Sequence, residues 1–361
     1  MRTISLIIWV ALLAGTISAP VVNACTICAP DPKTTIADVL NERESIVFAR
    51  EKQGKPYFFS VVEVLKGAMD GDEFKAFIYF IDRLTLSKNL KDVAVFAKKD
   101  SGDKWQYIAY ANEAYQAFVK EIISQAESWK KIKGSSRRID FFAELLTNSN
   151  PNIREQAYLE VSRAPYASIK RIAGTVPRRQ IHGVLASRRL TEWHSLFILM
   201  LGQSRHPDDR AYIRNTLEYF AQHQFTRNLS AWVTAFIESQ PKSGVEEVEK
   251  LYFSVKDRTK DELEEVVKGF SVLGSEGGIP FKPEILARRR RIVNSYATLL
   301  DNYPTMAGSV ARDLTSWKIR ALEKRLSRIK SGEPSLDPTA SFAVDYYLSA
   351  ASKFPVFKGN H

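Results

Sequence analysis

At about residue 113 the spacing of apolar residues changes from alternation to a helical repeat, and this switch sets what the chain can fold into. Before it, short β-prone runs alternate with turn residues. Residues 45–50 read as a first strand. A turn follows at Lys52-Gln53-Gly54-Lys55-Pro56, and residues 57–65 read as a second, longer strand. Further runs at 75–80, 93–97 and 105–110 complete five strand candidates, with Ser101-Gly102-Asp103-Lys104 as the last turn. Five short strands predict a small antiparallel sheet or barrel. A short helix at 35–42, capped by Thr34 or Thr35, precedes them.

From residue 113 the apolar residues return every three or four positions. An amphipathic stretch over 113–131 comes first. Helix candidates follow at 139–146, 152–162, 166–173, 191–202, 208–222, 229–238, 244–253, 260–273, 283–300, 306–312, 316–330 and 339–352, broken by Gly, Pro, Asn or Asp. Such a run of short antiparallel hops predicts an irregular HEAT-like α-solenoid, although no fixed-length motif repeats. The fold expected is therefore α+β and multidomain, a small antiparallel β-sheet or barrel followed by that solenoid. The divisions expected are a signal peptide over 1–24, a CxxC segment and β domain over 25–112, a connecting helix over 113–134, the solenoid over 135–352 and a flexible tail over 353–361.

The N-terminal stretch points to export. Arg2 supplies a positive start, residues 4–13 are apolar apart from Ser5, and small residues follow. Cleavage after Ala24, with Val22 and Ala24 at the positions that take small residues, would leave Cys25 first. A leading cysteine also allows a bacterial lipoprotein anchored through Cys25. No later segment approaches the ~20 apolar residues of a membrane span. Periplasmic or extracellular placement, soluble or lipid-anchored, is the expectation.

Cys25 and Cys28 are the only cysteines among 361 residues. They could close a local disulfide, remain thiols, carry a lipid on Cys25, or serve redox or metal chemistry. Pro30 and Pro32 remove the strand-to-helix setting of a thioredoxin-type pair. No histidine follows Cys28 to complete a haem attachment sequence, and no second cysteine pair completes a zinc site. His182, His194, His206, His223 and His361 form no metal-binding spacing, and Gly274-Ser275-Glu276-Gly277-Gly278 reads as a helix stop. Neither a cofactor nor a metal is expected.

The formal net charge is +11. Arg178, Arg179, Arg188, Arg189 and the run Arg288, Arg289, Arg290, Arg291 form the candidate surface for an anionic partner, or else a solvated face with helix-end pairing. Nucleic acid is not expected for an exported chain. Tyr166, Trp193, Trp232 and Trp317 are anchor candidates if exposed and core if not.

Several stretches resemble a group of exported bacterial proteins of planctomycete type with HEAT-like helices. They are Ala24-Cys25 with Cys28, Val61-Val62-Glu63-Val64-Leu65-Lys66-Gly67, Phe141-Phe142 with Leu145-Leu146, Gln156-Ala157-Tyr158 with Glu160 and Arg163-Ala164-Pro165-Tyr166-Ala167, and Gly274-Ser275-Glu276-Gly277-Gly278-Ile279-Pro280. The resemblance implies export and this kind of fold, and assigns no activity. The β region also looks like the netrin-like, oligonucleotide-binding-type barrels of metalloproteinase inhibitors, which begin with cysteine. Their further cysteines have no counterpart here.

Taken together, these features predict an exported, non-enzymatic binding or scaffold protein whose solenoid surface meets a protein or an anionic envelope component. Membrane contact would run only through Cys25. The rival expectations are a netrin-like metalloprotease inhibitor acting through Cys25, and a thiol-disulfide or metal-handling protein using Cys25 and Cys28.

Overall fold

The computed structural model describes residue 27 and residues 34–69, 71–100, 102–130, 136–276, 283–332 and 335–357. The leader expected over 1–24, Cys25 and Cys28 lie outside these residues.

Helix α1 (Ile36–Glu42) opens on the expected cap: the Thr35 hydroxyl accepts from Asp38 N at 3.1 Å, and Asp38 Oδ2 accepts from Thr35 N at 3.2 Å. Strands β1 (Ser45–Glu51), β2 (Phe58–Lys66), β3 (Glu73–Lys75), β4 (Val93–Lys98) and β5 (Gln106–Ala111) form one antiparallel sheet in the order β3-β2-β1-β4-β5. β3 and β5 are its edges, so the sheet is open rather than a closed barrel among the described residues. Both faces of β1 and β4 are covered, which explains their unbroken apolar runs. Ile46, Phe48, Val93, Val95 and Ala97 face the main core, while Val47, Ala49, Ala94 and Phe96 join Phe59 and Ile78 in a second, smaller core.

The run expected as a strand over 75–80 is divided. β3 ends at Lys75, residues 76–79 follow outside any strand, and Phe80 starts helix α2 (Phe80–Lys88). No residue of α2 is fully buried, so its sequence carries no buried stripe to announce a helix.

The remaining helices are α3 (Glu113–Lys130), α4 (Ser136–Glu144), α5 (Pro151–Ser162), α6 (Tyr166–Ala173), α7 (Arg178–Ala186), α8 (His194–Leu201), α9 (Pro207–His223), α10 (Leu229–Ser239), α11 (Gly244–Val248), α12 (Lys260–Ser275), α13 (Pro283–Asn302), α14 (Ala307–Ser316), α15 (Glu323–Lys330) and α16 (Pro338–Ala350). From α6 to α16, each even-numbered helix packs on the next even-numbered one, and the odd-numbered helices lie against this row. That is the two-layer stacking of an α-solenoid, irregular in helix length. Close approach depends on glycine: a Cβ on Gly308 of α14 would sit 2.5 Å from Ala340 Cα of α16, and one on Gly269 of α12 2.8 Å from Ser230 O of α10.

Three expectations change. Helix α7 occupies a stretch read as a connection; it is short and carries Gly183 inside it. The helix expected over 316–330 breaks at residues 317–322, where Lys318 and Leu322 take φ of 52° and 58°. That break makes a partner for the chain end. Arg320 N donates to Pro355 O and Phe357 N to Arg320 O, both at 3.0 Å, so the tail expected to be flexible from 353 is held as far as Phe357.

Helix α3 does more than connect. Tyr115, Phe118, Val119 and Ile122 belong to the main core, which runs without a gap from α1 and the sheet to α16.

Candidate functional site

The arginines expected to face a partner are mostly engaged within the fold. Arg288 is buried on α13, and its Nη1 lies 3.0 Å from both Glu238 and Glu276. Lys170 of α6 meets the same two carboxylates at 3.0 and 2.9 Å, closing a ring of two positive and two negative groups. Arg289 is buried too. It donates through Nε to Gly274 O at 2.8 Å and lies over the Trp317 ring, and burial lowers its pKa to about 10. Arg291 donates to the carbonyls of Pro241 and Lys242, and Arg290 stands over the Phe357 ring. Arg178 is paired with Asp209, while Arg179, Arg188 and Arg189 are exposed. Tyr166, Trp193, Trp232 and Trp317 are all buried, hence core rather than anchors.

Asp209 gathers a serine, a histidine and an arginine. Its carboxylate takes Arg178 Nε at 2.9 Å, His182 Nε2 at 2.7 Å and Ser204 Oγ at 2.5 Å. Activation of a serine requires the imidazole between hydroxyl and carboxylate. Here the carboxylate is in the middle, so the cluster ties α7 to the start of α9. Burial opposes ionisation of Asp209, but hydrogen bonds from Arg178, Ser204 and His182 outweigh it and hold the pKa well below the usual range. Asp313 of α14 is the reverse case. Burial raises its carboxyl to about 6 despite hydrogen bonds from Ser271, at 2.5 and 2.6 Å, and from Tyr296.

Large exposed side chains concentrate instead on the sheet region. Residues 76–79 alternate between buried and exposed, as side chains on an extended chain do. Ala76 and Ile78 are buried, while Phe77 and Tyr79 are each 64% exposed. The first turns of α2 add Phe80, Ile81 and Leu84, and Tyr57 and Phe58 add two rings from the β2 side. The rings form an ordered series. Tyr57 stacks on Phe77 at 6.3 Å, Phe77 meets Tyr79 edge-on at 5.5 Å, and Tyr79 meets Tyr107 at 6.0 Å. Arg83 lies over Tyr57 and is fixed by Glu51, and Lys75 lies over Phe58. Reading 75–80 as a strand hid this face. The available signal was that five consecutive apolar residues, Phe77-Ile78-Tyr79-Phe80-Ile81, would need cover on two sides of an edge strand.

Beside this face a groove of about 460 Å³ runs between β5, α1 and α5. Tyr79, Tyr107, Tyr110 and Tyr115 line it, with Asp82, Asn152, Glu155 and Gln156 among its polar groups. Tyr107 OH donates to Asp82 at 2.8 Å and Tyr110 OH to Asp92, which fixes both rings. Burial, with the neighbouring carboxylate, pushes the Tyr110 phenol up to about 12. Gln156 Oε1 accepts from Ile36 N at 3.2 Å and so ties α5 to the start of α1.

Among the described residues no group of three or more His, Cys, Asp or Glu is placed to hold a metal ion, and no helix is long and apolar enough to cross a membrane. Comparison with family models, with curated proteins and with solved structures finds no match to this chain.

Proposed function

We propose that this chain is an exported, non-enzymatic binding protein in which the helical array is a rigid support and the sheet region carries the contact face for a protein partner. The carrying observation is the exposed series Phe77, Tyr79, Phe80, Ile81 and Leu84. Contiguous exposed apolar surface of this kind marks interaction sites, and aromatic residues supply most of the energy where they are buried by a partner. The face adjoins β3, a three-residue edge strand with an open side. The arrangement on the helical half points the same way, because Lys170, Arg288, Glu238 and Glu276 satisfy one another there. Export rests on the leader sequence and on the resemblance to exported proteins.

The strand order, with a helix between β3 and β4, is compatible with an oligonucleotide-binding-type barrel left open between its edges. This supports the likeness of the region to such barrels. The inhibitor and thiol readings depend on Cys25 and Cys28 and gain no observation from the described residues.

A photo-crosslinking residue placed at Phe80, and separately at Tyr219 on the helical half, tests the reading in the native compartment. The expected result is a discrete protein adduct from position 80 that disappears when Phe77→Asp is added. Equal labelling from both positions, or none from position 80, counts against it.

A further inference from the structure

We infer that the tyrosine-lined groove between β5, α1 and α5 binds an organic ammonium group. Its chemistry is out of character with the rest of the molecule. The formal charge of the chain is +11, yet among the described residues no Lys, Arg or His lines the groove, and two carboxylates, Asp82 and Glu155, do. Four tyrosines line the same space. An aromatic face carries partial negative charge, and rings grouped with a carboxylate are the standard means of holding an ammonium cation. Tyr79 and Tyr107 meet at 74°, so two ring faces make a corner, with Asp82 hydrogen-bonded to the second of them.

One more tyrosine bears on the space. Tyr115 is only 4% exposed and lines the groove, and its hydroxyl has no hydrogen-bond partner among the described residues. A ligand N–H or hydroxyl could pair with it. The Glu155 carboxylate is likewise exposed at the rim with no ion pair among the described residues. A phosphate or sulfate ligand would meet two carboxylates and no cationic side chain among the described lining residues. The charge pattern therefore selects a cation over the anionic partners that the overall charge would suggest.

The ammonium could belong to a small free amine or to a lysine side chain of a polypeptide, and titration calorimetry on the full chain separates the two. The probes are choline, butylammonium and the tripeptide Gly-Lys-Gly, with dimethylbutanol and pentanol as uncharged counterparts. At least one cation is expected to bind while its uncharged counterpart does not. Tyr79→Ala and Glu155→Gln should each weaken binding by about tenfold, the scale of losing one anchoring contact. A tripeptide that binds more tightly than butylammonium identifies a polypeptide lysine as the source; the reverse order identifies a free amine. Both side chains are exposed, so an unchanged melting temperature verifies that the variants fold. The inference is overturned if no cation binds at millimolar concentration, if the uncharged counterparts bind equally well, or if both variants bind like the native chain. Tyr79 belongs to both the groove and the docking face, and Phe77→Asp and Glu155→Gln separate them: the first leaves the groove lining intact, and the second lies outside the docking face.

Discussion

Single side chains in this molecule show how burial and pairing compete. Asp38 accepts from Arg138 at 2.6 Å and from Arg163 at 2.5 Å. Burial alone would raise its pKa, but these donors hold it at about 2. Its stabilising contribution is present above the ordinary carboxylate range and is lost as the pH falls through about 2. Asp313 has the opposite sign. With a folded pKa of about 6, its contribution is full below the ordinary range and is lost as the pH rises through that value. Asp313→Asn should therefore gain stability over the native chain on going from about pH 4 to about pH 8, by on the order of 3 kcal/mol for a two-unit shift. Urea midpoints at the two pH values check this; a difference between variant and native chain that does not change with pH refutes it. The arginine run makes a related point about legibility. Four successive residues on a helix point in four directions whatever the fold. That Arg288 and Arg289 are the buried pair depends on Glu238, 50 residues away, on Glu276, and on Gly274 O.

At the scale of elements, those with a buried stripe or a strong cap were readable. Thr35 caps α1 as expected, and α6 spans the residues bounded by Pro165 and Gly174. Helix α2 was not readable because it buries no residue completely, and the break after α14 was not because what pairs with it at Arg320 is the distant chain end. The same contrast gives a test. Phe80→Ser on exposed α2 should change stability by no more than about 0.5 kcal/mol. Gly308→Val, which forces α14 away from Ala340, should cost about 1–3 kcal/mol. Thermal melts of the two variants side by side decide it, and a larger loss for Phe80→Ser would show that the aromatic face supports the fold rather than a partner.

At the scale of the whole molecule, the division at residue 112 marks a change in secondary structure without a break in packing. Ile46 and Phe48 of β1, Tyr115 and Phe118 of α3 and Phe142 of α4 are parts of one core. Arg138 reinforces the junction by reaching Asp38 on α1 and Glu160 on α5, each at 2.6 Å. The sheet and the adjoining helices should accordingly unfold together. Hydrogen exchange across a denaturant series is expected to show amides of β1, β4 and α5 losing protection over the same range. Loss from the strands well before α5 would mean that the sheet is an independent unit.

The sequence by itself determined most of the succession of elements, the switch from strands to helices and most helix ends, because periodicity, caps and glycine or proline breaks act over a few residues. It did not determine which surfaces were left over. Of the arginines that suggested a basic docking face, Arg288 is folded inward against distant carboxylates and Arg289 and Arg291 hold backbone carbonyls, while Arg179, Arg188 and Arg189 stay exposed. The aromatic face and the tyrosine groove appear only when β3, α2, β5 and α5 come together. Exposure and partnership are properties of residues far apart in sequence, and only tertiary packing decides which side chains find a partner and which remain at the surface.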